Sequence, residues 1–366
     1  MKKAVIIPDS FKGTLSSKEV CELIEKSLKK KYEDIICVGI PIADGGEGTL
    51  DSFCYALGGA TIVLRAHDPV GKIINSEYLV LDDTAIIEMA NVNGITLLDA
   101  LSPMSASTFG TGEIIKDVLD RGIRKIIIGI GGSASTDGGM GCLCALGARF
   151  LDENGNDVPL GGKGLSQIKS ISLEKFDSRI KECAFTVLSD VENALYGKSG
   201  AAYIFAKQKG ADENQIEELD RGLRNFADKV KTCFGEDYAN VKGAGAAGGL
   251  GFALLTFFSA KIESGIDAML DICGFSEKIK DADVIITGEG KMDKQSLSGK
   301  VPFGVAKRAE GVPVIAVVGT SEISEAEAKE FGIDKIIETN AEKLPFDEVK
   351  KKCREQLLKA ASKINL

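Results

Sequence analysis

The apolar positions of this chain fall into a recurring order: a short strand-like run, a loop rich in glycine and acids, then a segment with helical spacing. The first such unit runs from Ala4 to Ile7, passes through Pro8-Asp9-Ser10-Phe11-Lys12-Gly13-Thr14, and reaches Ser16 and Glu19, a capping-box signature. Val20, Leu23, Ile24 and Leu28 follow at helical spacing and are predicted to face inward. The second unit runs from Ile35 to Ile40 into Ala43-Asp44-Gly45-Gly46-Glu47-Gly48-Thr49. A helix with Leu50, Phe53 and Leu57 inward comes next, and Gly58 ends it.

The third unit follows Lys125 to Ile130. Its loop, Gly131-Gly132-Ser133-Ala134-Ser135-Thr136-Asp137-Gly138-Gly139, is the longest glycine-hydroxyl stretch in the chain and leads into an apolar helix through Leu146. A fourth places Asp190 just beyond a strand at Phe185 to Leu188. A fifth follows Val284 to Ile286 with Gly288-Glu289-Gly290-Lys291-Met292-Asp293, and a plainer sixth is Val314 to Val318, then Gly319-Thr320.

Between these units, Ile216, Leu219, Leu223, Phe226 and Val230 mark a long amphipathic helix. From Thr61 to Ala90 the pattern is that of extended segments, separated by Asp68-Pro69-Val70-Gly71-Lys72 and by Asp82-Asp83. Gly243 to Ala260 carries no charge, and its glycines make it a buried, Gly-rich helix rather than a membrane span. The fold expected is α/β: a Rossmann- or flavodoxin-like parallel-sheet domain from residues 1–62 and 281–366, with a second, mixed α/β domain inserted as residues 63–280.

Composition narrows the function. A hydrophobic content of 44% in 366 residues fills the cores of such domains, and a formal charge of -9 gives no footprint for nucleic acid or an anionic membrane. Nine cysteines without Cys-x-x-Cys pairs read as reduced, packed thiols, and the short apolar run after Met1-Lys2-Lys3 is too brief for a signal-peptide core, so a cytoplasmic location is expected. His67 is the only histidine, which excludes a histidine-based zinc cluster.

In an open α/β sheet, ligands bind beyond the carboxyl ends of the strands, where all these loops lie. Glycine lets backbone N–H groups approach an anion there, and a helix N-terminus adds a favourable field. Asp44, Glu47, Asp190, Glu289 and Asp293 would repel a phosphate unless a hard cation stood between them, which points to magnesium and phosphoryl transfer. Lys12 is placed to neutralise a substrate carboxylate or a transferring phosphoryl group; Lys209 and Lys300 are further phosphate candidates. No Gly-x4-Gly-Lys-Ser/Thr sequence occurs. Gly129 to Ala134 fits a loose Gly-x-Gly-x-x-Ala pattern without the expected acid, and Gly243 to Gly248 fits Gly-x-Gly-x-x-Gly without the preceding strand, so the latter is read as close helix packing.

Five segments in this order resemble the bacterial glycerate kinases that lack a P-loop: Pro8 to Gly13, Ala43 to Thr49, Gly129 to Ala134, Gln208-Lys209-Gly210-Ala211 and Thr287-Gly288-Glu289-Gly290. The likeness spans essentially the whole chain. It departs at Ser135-Thr136-Asp137, where Thr-Asn-Asp is expected, and at Val191 to Leu195, where a proline usually precedes the leucine. The resemblance implies ATP-dependent phosphorylation of D-glycerate with Mg2+, in an active-site cleft between two domains, with 2-phosphoglycerate as the expected product.

On that footing Gly131, Gly132, Ser133, Asp137, Gly288, Gly290 and Lys209 are expected to hold the nucleotide phosphates, and Asp190, Glu289 or Asp293 the metal. Asp9, Ser10, Lys12, Gly45, Gly46 and Glu47 are expected to hold glycerate, while Asp190 or Asp44 accepts its hydroxyl proton. The partners are then small molecules, with no nucleic acid and no membrane, and a homodimer is left open. Two alternatives carry less of the pattern: a nicotinamide-dependent oxidoreductase of a small hydroxy acid, and a non-catalytic sensor of a phosphorylated metabolite.

Overall fold

The computed structural model describes residues 1–42, 45–235, 237–294, 296–298 and 300–366, so Asp44 lies outside the described residues. The chain forms two compact units. One comprises Met1–Asp44, Asp51–Gly58 and Ser264–Leu366, the other Gly45–Leu50 and Gly59–Glu263.

The first unit opens with strand β1 (Lys3–Pro8) and helix α1 (Ser17–Lys31). The capping box forms as the sequence predicts. Ser16 Oγ accepts from the Glu19 N–H at 3.3 Å and Glu19 Oε2 accepts from the Ser16 N–H at 2.9 Å. These bonds satisfy two otherwise orphaned donors, a contribution of about 1 kcal/mol. Val20, Ile24 and Leu28 are fully buried, whereas Leu23 is only partly so. Strand β2 (Ile36–Gly39) and helix α2 (Thr49–Leu57) follow.

The second unit carries β3 (Ala60–His67), β4 (Ile73–Leu81), β5 (Thr84–Glu88), α3 (Ala90–Asn93), α4 (Phe109–Asp120), β6 (Lys125–Gly129) and α5 (Met140–Ala145). β7 (Arg149–Leu151) pairs antiparallel with β8 (Ser170–Ser172); β9 (Ala184–Leu188), α6 (Glu213–Phe234), α7 (Ala246–Phe257) and β10 (Lys261–Glu263) complete the unit. Its sheet has the order β10-β9-β6-β5-β4-β3. Pairing is antiparallel from β3 to β5 and parallel from β5 to β10. The turn at Asp68 is held by its Oδ1, which accepts from the N–H groups of Val70 and Lys72 at 2.9 and 2.8 Å. Phe226 of α6 stands edge-on to both Phe150 and Phe252, with ring centroids 5.6 Å apart in each pair.

The glycine-rich stretch near residue 250 corrects the expectation of a helix over its whole length. The helix is confined to Ala246–Phe257 and opens with a left-handed turn, Ala247, Gly248 and Gly249 having φ of 52, 66 and 95°. The cause is close backbone packing: a Cβ on Gly248 would lie 2.2 Å from the Ser135 carbonyl oxygen.

The chain then returns to the first unit with α8 (Gly265–Ile272), α9 (Phe275–Ile279), β11 (Val284–Gly288), β12 (Lys291–Met292), α10 (Val301–Lys307), β13 (Val314–Val318), β14 (Thr320–Ser321), α11 (Glu325–Glu330), β15 (Lys335–Glu338) and α12 (Phe346–Ala361). The main sheet is wholly parallel, in the order β15-β13-β11-β1-β2. Counted in order of appearance within this unit, that is the flavodoxin-like arrangement, whose direction reverses between β1 and β11. The α/β class expected from the sequence is the one found. Ile6, Ile24, Leu28, Ile286, Val317 and Leu357 form the core below the sheet's carboxyl edge, each buried aliphatic contributing roughly 1.5–3 kcal/mol. Among the described residues, no helix is long and apolar enough to cross a membrane.

Candidate active site

At the reversal point of the parallel sheet, the loops after β1 and β11 lie side by side. Pro8 is in register with Gly288, and the Asp9 N–H donates to the Gly288 carbonyl at 2.8 Å. The next residues fold tightly: the Ser10 N–H donates to Asp9 Oδ1 at 2.6 Å, and the Phe11 N–H to the Leu15 carbonyl at 2.8 Å, which sets Lys12 at the tip. Gly288 has no room for a side chain, because a Cβ there would meet the Val317 carbonyl oxygen at 1.9 Å. The Gly319 and Thr320 N–H groups tie the β13 end to this turn, donating to the carbonyls of Glu289 and Gly290 at 3.0 and 3.2 Å.

Three carboxylates and three lysines stand in this part of the molecule. Asp9, Lys12, Glu289, Asp293, Lys300 and Thr320 share the walls of one cavity of about 370 Å³. Glu289 is buried, and burial pushes its carboxyl up to about 7 against a hydrogen bond from Ser296 and the charge of Lys300. Its Oε1 has no hydrogen-bond partner among the described residues, and Lys300 Nζ is 3.9 Å from its Oε2. Asp293 Oδ1 accepts from the Ser296 N–H at 3.3 Å, and Lys291 Nζ is 3.9 Å from Asp293 Oδ2.

The second unit builds its own group of loops at the carboxyl ends of β5, β6 and β9. The Gly131 N–H donates to the Gly45 carbonyl at 3.0 Å, and a Cβ on Gly131 would fall 2.7 Å from the Gly46 Cα. The Gly45 to Gly48 turn therefore lies directly on the start of the Gly131 loop, with Glu47 Oε1 accepting from the Thr96 hydroxyl at 3.1 Å. Glu88, buried at the end of β5, accepts from the N–H groups of Gly48 and Leu50 at 3.2 and 3.0 Å and so anchors the turn. Asp190 is half-buried just past β9, next to Ser189, whose N–H donates to the Glu263 carbonyl at 3.1 Å.

Two residues expected to meet phosphate are engaged inside this unit. Asp137 is fully buried; its Oδ2 accepts from the Thr108 N–H and hydroxyl at 2.8 and 2.9 Å and from the Gly141 N–H at 3.1 Å. Its Oδ1 accepts from the Gly139 N–H at 3.0 Å, and burial raises its pKa against all these bonds. Lys209 is also buried, donating to Ser133 Oγ and to the Ser135 carbonyl, both at 2.6 Å. Burial pushes its ammonium down to about 7, with the Asp137 charge opposing. Ser133 and Ser135 are thus held by Lys209, and Gly132 comes near the Glu47 side chain, the Cγ of which would lie 3.7 Å from a Cβ there.

Sequence reasoning missed Glu88, although its signal was the same as that of Asp190 and Glu289: an acid directly ending a buried strand, here Ile86-Ile87-Glu88. It also missed Asn93, whose Nδ2 donates to Ser135 Oγ at 2.9 Å; only the folded arrangement reveals that bond.

Residues 4–366 match the glycerate kinase family. The chain belongs to that family. It is 42% identical to the glycerate kinase of Halalkalibacterium halodurans, covering 91% of this chain and 90% of that one, and 39% identical to the glycerate kinase of Bacillus subtilis, covering 99% and 96%. The glycerate 2-kinase of Escherichia coli is 42% identical over 91% of this chain and 89% of its own. The crystal structure of a candidate glycerate kinase 2 from Salmonella typhimurium LT2 superposes with a TM-score of 0.84 at 37% identity, covering 99% and 96% of the two chains. The chain is therefore an ATP-dependent kinase of the glycerate kinase family, and neither the oxidoreductase nor the sensor alternative finds support among these relatives.

Proposed function

We propose that this kinase transfers the γ-phosphoryl group of ATP to the 2-hydroxyl of D-glycerate, giving 2-phosphoglycerate, with Mg2+ as the required cation. The observation that carries the reading is Glu289: a buried carboxylate with one oxygen that has no hydrogen-bond partner among the described residues, beside Lys12, Asp293 and Lys300, where the parallel sheet reverses. The choice of the 2-hydroxyl draws on the Escherichia coli relative named glycerate 2-kinase.

The residues fit a magnesium site of the kind phosphoryl transfer uses. Among the described residues, no group of three or more His, Cys, Asp or Glu side chains converges as a metal cage. Mg2+ with a nucleotide needs only one or two carboxylates, the rest of its shell being phosphate oxygens and water. Glu289 and Asp293 supply that number, and a cation would give Glu289 Oε1 its missing partner; Asp190 is the further candidate ligand. When bound, the ion neutralises charge on the phosphate oxygens.

The chain's own groups do the rest. Lys12, with Asp9 and Ser10, holds the glycerate carboxylate or the charge of the moving phosphoryl group, and Gly45, Gly46 and Glu47 shape the acid's site. Asp190 accepts the hydroxyl proton as the new O–P bond forms and the bond to the leaving ADP oxygen breaks, Asp44 being the alternative base. Backbone N–H groups of Gly132, Gly288 and Gly290, with the Ser133 hydroxyl, receive phosphate oxygens, while the Gly131 N–H holds the Gly45 carbonyl and so shapes the loop. Within this scheme Asp137 and Lys209 serve by holding the Gly131 loop in shape.

Steady-state assays with D- and L-glycerate, each with and without Mg2+, test the reading. Turnover confined to D-glycerate with Mg2+ is expected; equal rates with both enantiomers, or full activity in excess chelator, contradict it.

A further inference from the structure

The cavity that Glu289 and Lys12 share extends well beyond those polar groups. Its remaining wall is built by the segment leading into α12 and by the first turns of that helix: Leu344, Phe346, Val349 and Cys353. Asn340 fixes this wall, its Oδ1 accepting from the Leu344 N–H at 2.9 Å and its Nδ2 donating to the Leu344 carbonyl at 3.1 Å. Phe346 is a large aromatic left 54% exposed, its ring edge set against the backbone at Gly13, where a Cβ would come within 2.9 Å of Cζ.

Size and polarity identify the occupant. At about 370 Å³ the cavity lies in the range of sites for cofactor-sized ligands, roughly 300–1,000 Å³. A three-carbon hydroxy acid fills only a small part of it and has nothing to place against Phe346, Leu344 and Val349. A nucleotide needs an apolar, partly aromatic slot for its base joined to a cationic, glycine-lined end for its phosphates. Both ends are present, the second formed by Lys12, Gly290 and Lys300.

We infer that this cavity is the adenosine site of the kinase, with the base against Phe346 and Val349 and the phosphates running toward Lys12, Gly290 and Lys300. The inference rests on the reading of the chain as an ATP-dependent kinase and adds which residues take the nucleoside.

Cys353 supplies a reporter in the same wall. The full-length protein is alkylated with iodoacetamide, and modification at each cysteine is followed by peptide mass spectrometry with ADP, with D-glycerate, or with neither. In parallel, Val349→Trp, which fills the slot, is assayed for the KM of each substrate. ADP is expected to slow modification of Cys353 severalfold while D-glycerate leaves it unchanged, and Val349→Trp is expected to raise the KM for ATP by about tenfold or more with the KM for D-glycerate held. An unchanged Cys353 rate at saturating ADP, together with an unchanged KM for ATP in an active Val349→Trp enzyme, overturns the location and leaves the kinase reading intact. Protection of Cys353 by ADP in a protein that phosphorylates no glycerate supports the location while removing the acid substrate.

Discussion

The Lys209 ammonium donates at 2.6 Å to the hydroxyl of Ser133, a residue 76 positions earlier in the chain. A second bond to the Ser135 carbonyl makes this buried lysine the strut beneath the Gly131 loop. Lys209→Met keeps the length of the side chain and removes both donors. The loop then loses its fixed position, and kcat should fall by roughly 10- to 100-fold, since small misplacements of positioning groups weigh heavily in transfer reactions. Wild-type turnover in the variant would show that the strut has no part in catalysis.

The same lysine sets a pH dependence of stability. Its folded pKa is about 7, below the ordinary 10.5, so the unfolded chain binds more protons between those values. Stability gained from this group therefore rises with pH across that window, and the penalty is complete below pH 7. Denaturant unfolding of wild type and Lys209→Met at pH 7 and 10 should show the wild type gaining on the variant by on the order of 3 kcal/mol. A constant difference would mean that the amine is not depressed by burial.

Glu289 works in the opposite sense. Its folded pKa of about 7 lies above the ordinary 4.5, so the folded protein binds the extra proton between the two, and stability falls as pH rises through that range. Glu289→Gln should match the wild type at pH 4 and be more stable than it at pH 8 in the absence of divalent cations. Thermal melts read this directly. Mg2+ with ADP should raise the wild-type midpoint at pH 8 and leave the variant's much less changed; equal shifts in both proteins would remove Glu289 from the proposed metal site.

Asp190→Asn tests the base. Turnover should drop by roughly two to four orders of magnitude with nucleotide affinity nearly unchanged, as for loss of a general base. Near-normal turnover would transfer the role to Asp44.

Local features of this fold were legible in the sequence and long-range ones were not. Ser16 and Glu19 lie within one helical turn, so their capping box could be read from spacing alone. Glu289 and Asp293 lie four residues apart on either side of β12, and their closeness in sequence followed from the strand that ends at Gly288. The reversal between β1 and β11 joins segments 280 residues apart, as the Thr287 hydroxyl bond to the Ile7 carbonyl shows, and no local pattern encodes it. Whether a carboxylate in a glycine loop faces inward or outward is likewise set by distant partners. Asp137 turns in because Thr108 offers it two donors, and the loop composition that suggested phosphate binding at that residue is equally the composition of a tight internal turn. Asp44, singled out from the sequence as a base, lies outside the described residues.

Transfer of a phosphoryl group to the 2-hydroxyl of D-glycerate would place the new ester on C2. Phosphorus NMR of the purified protein with MgATP and D-glycerate, with proton coupling to identify the esterified carbon, tests it most directly. A new monoester signal coupled to the single proton on C2 is expected, growing as ADP appears and missing when Mg2+ is withheld. A signal coupled to the two protons on C3, or ADP formation with no new ester, would contradict it.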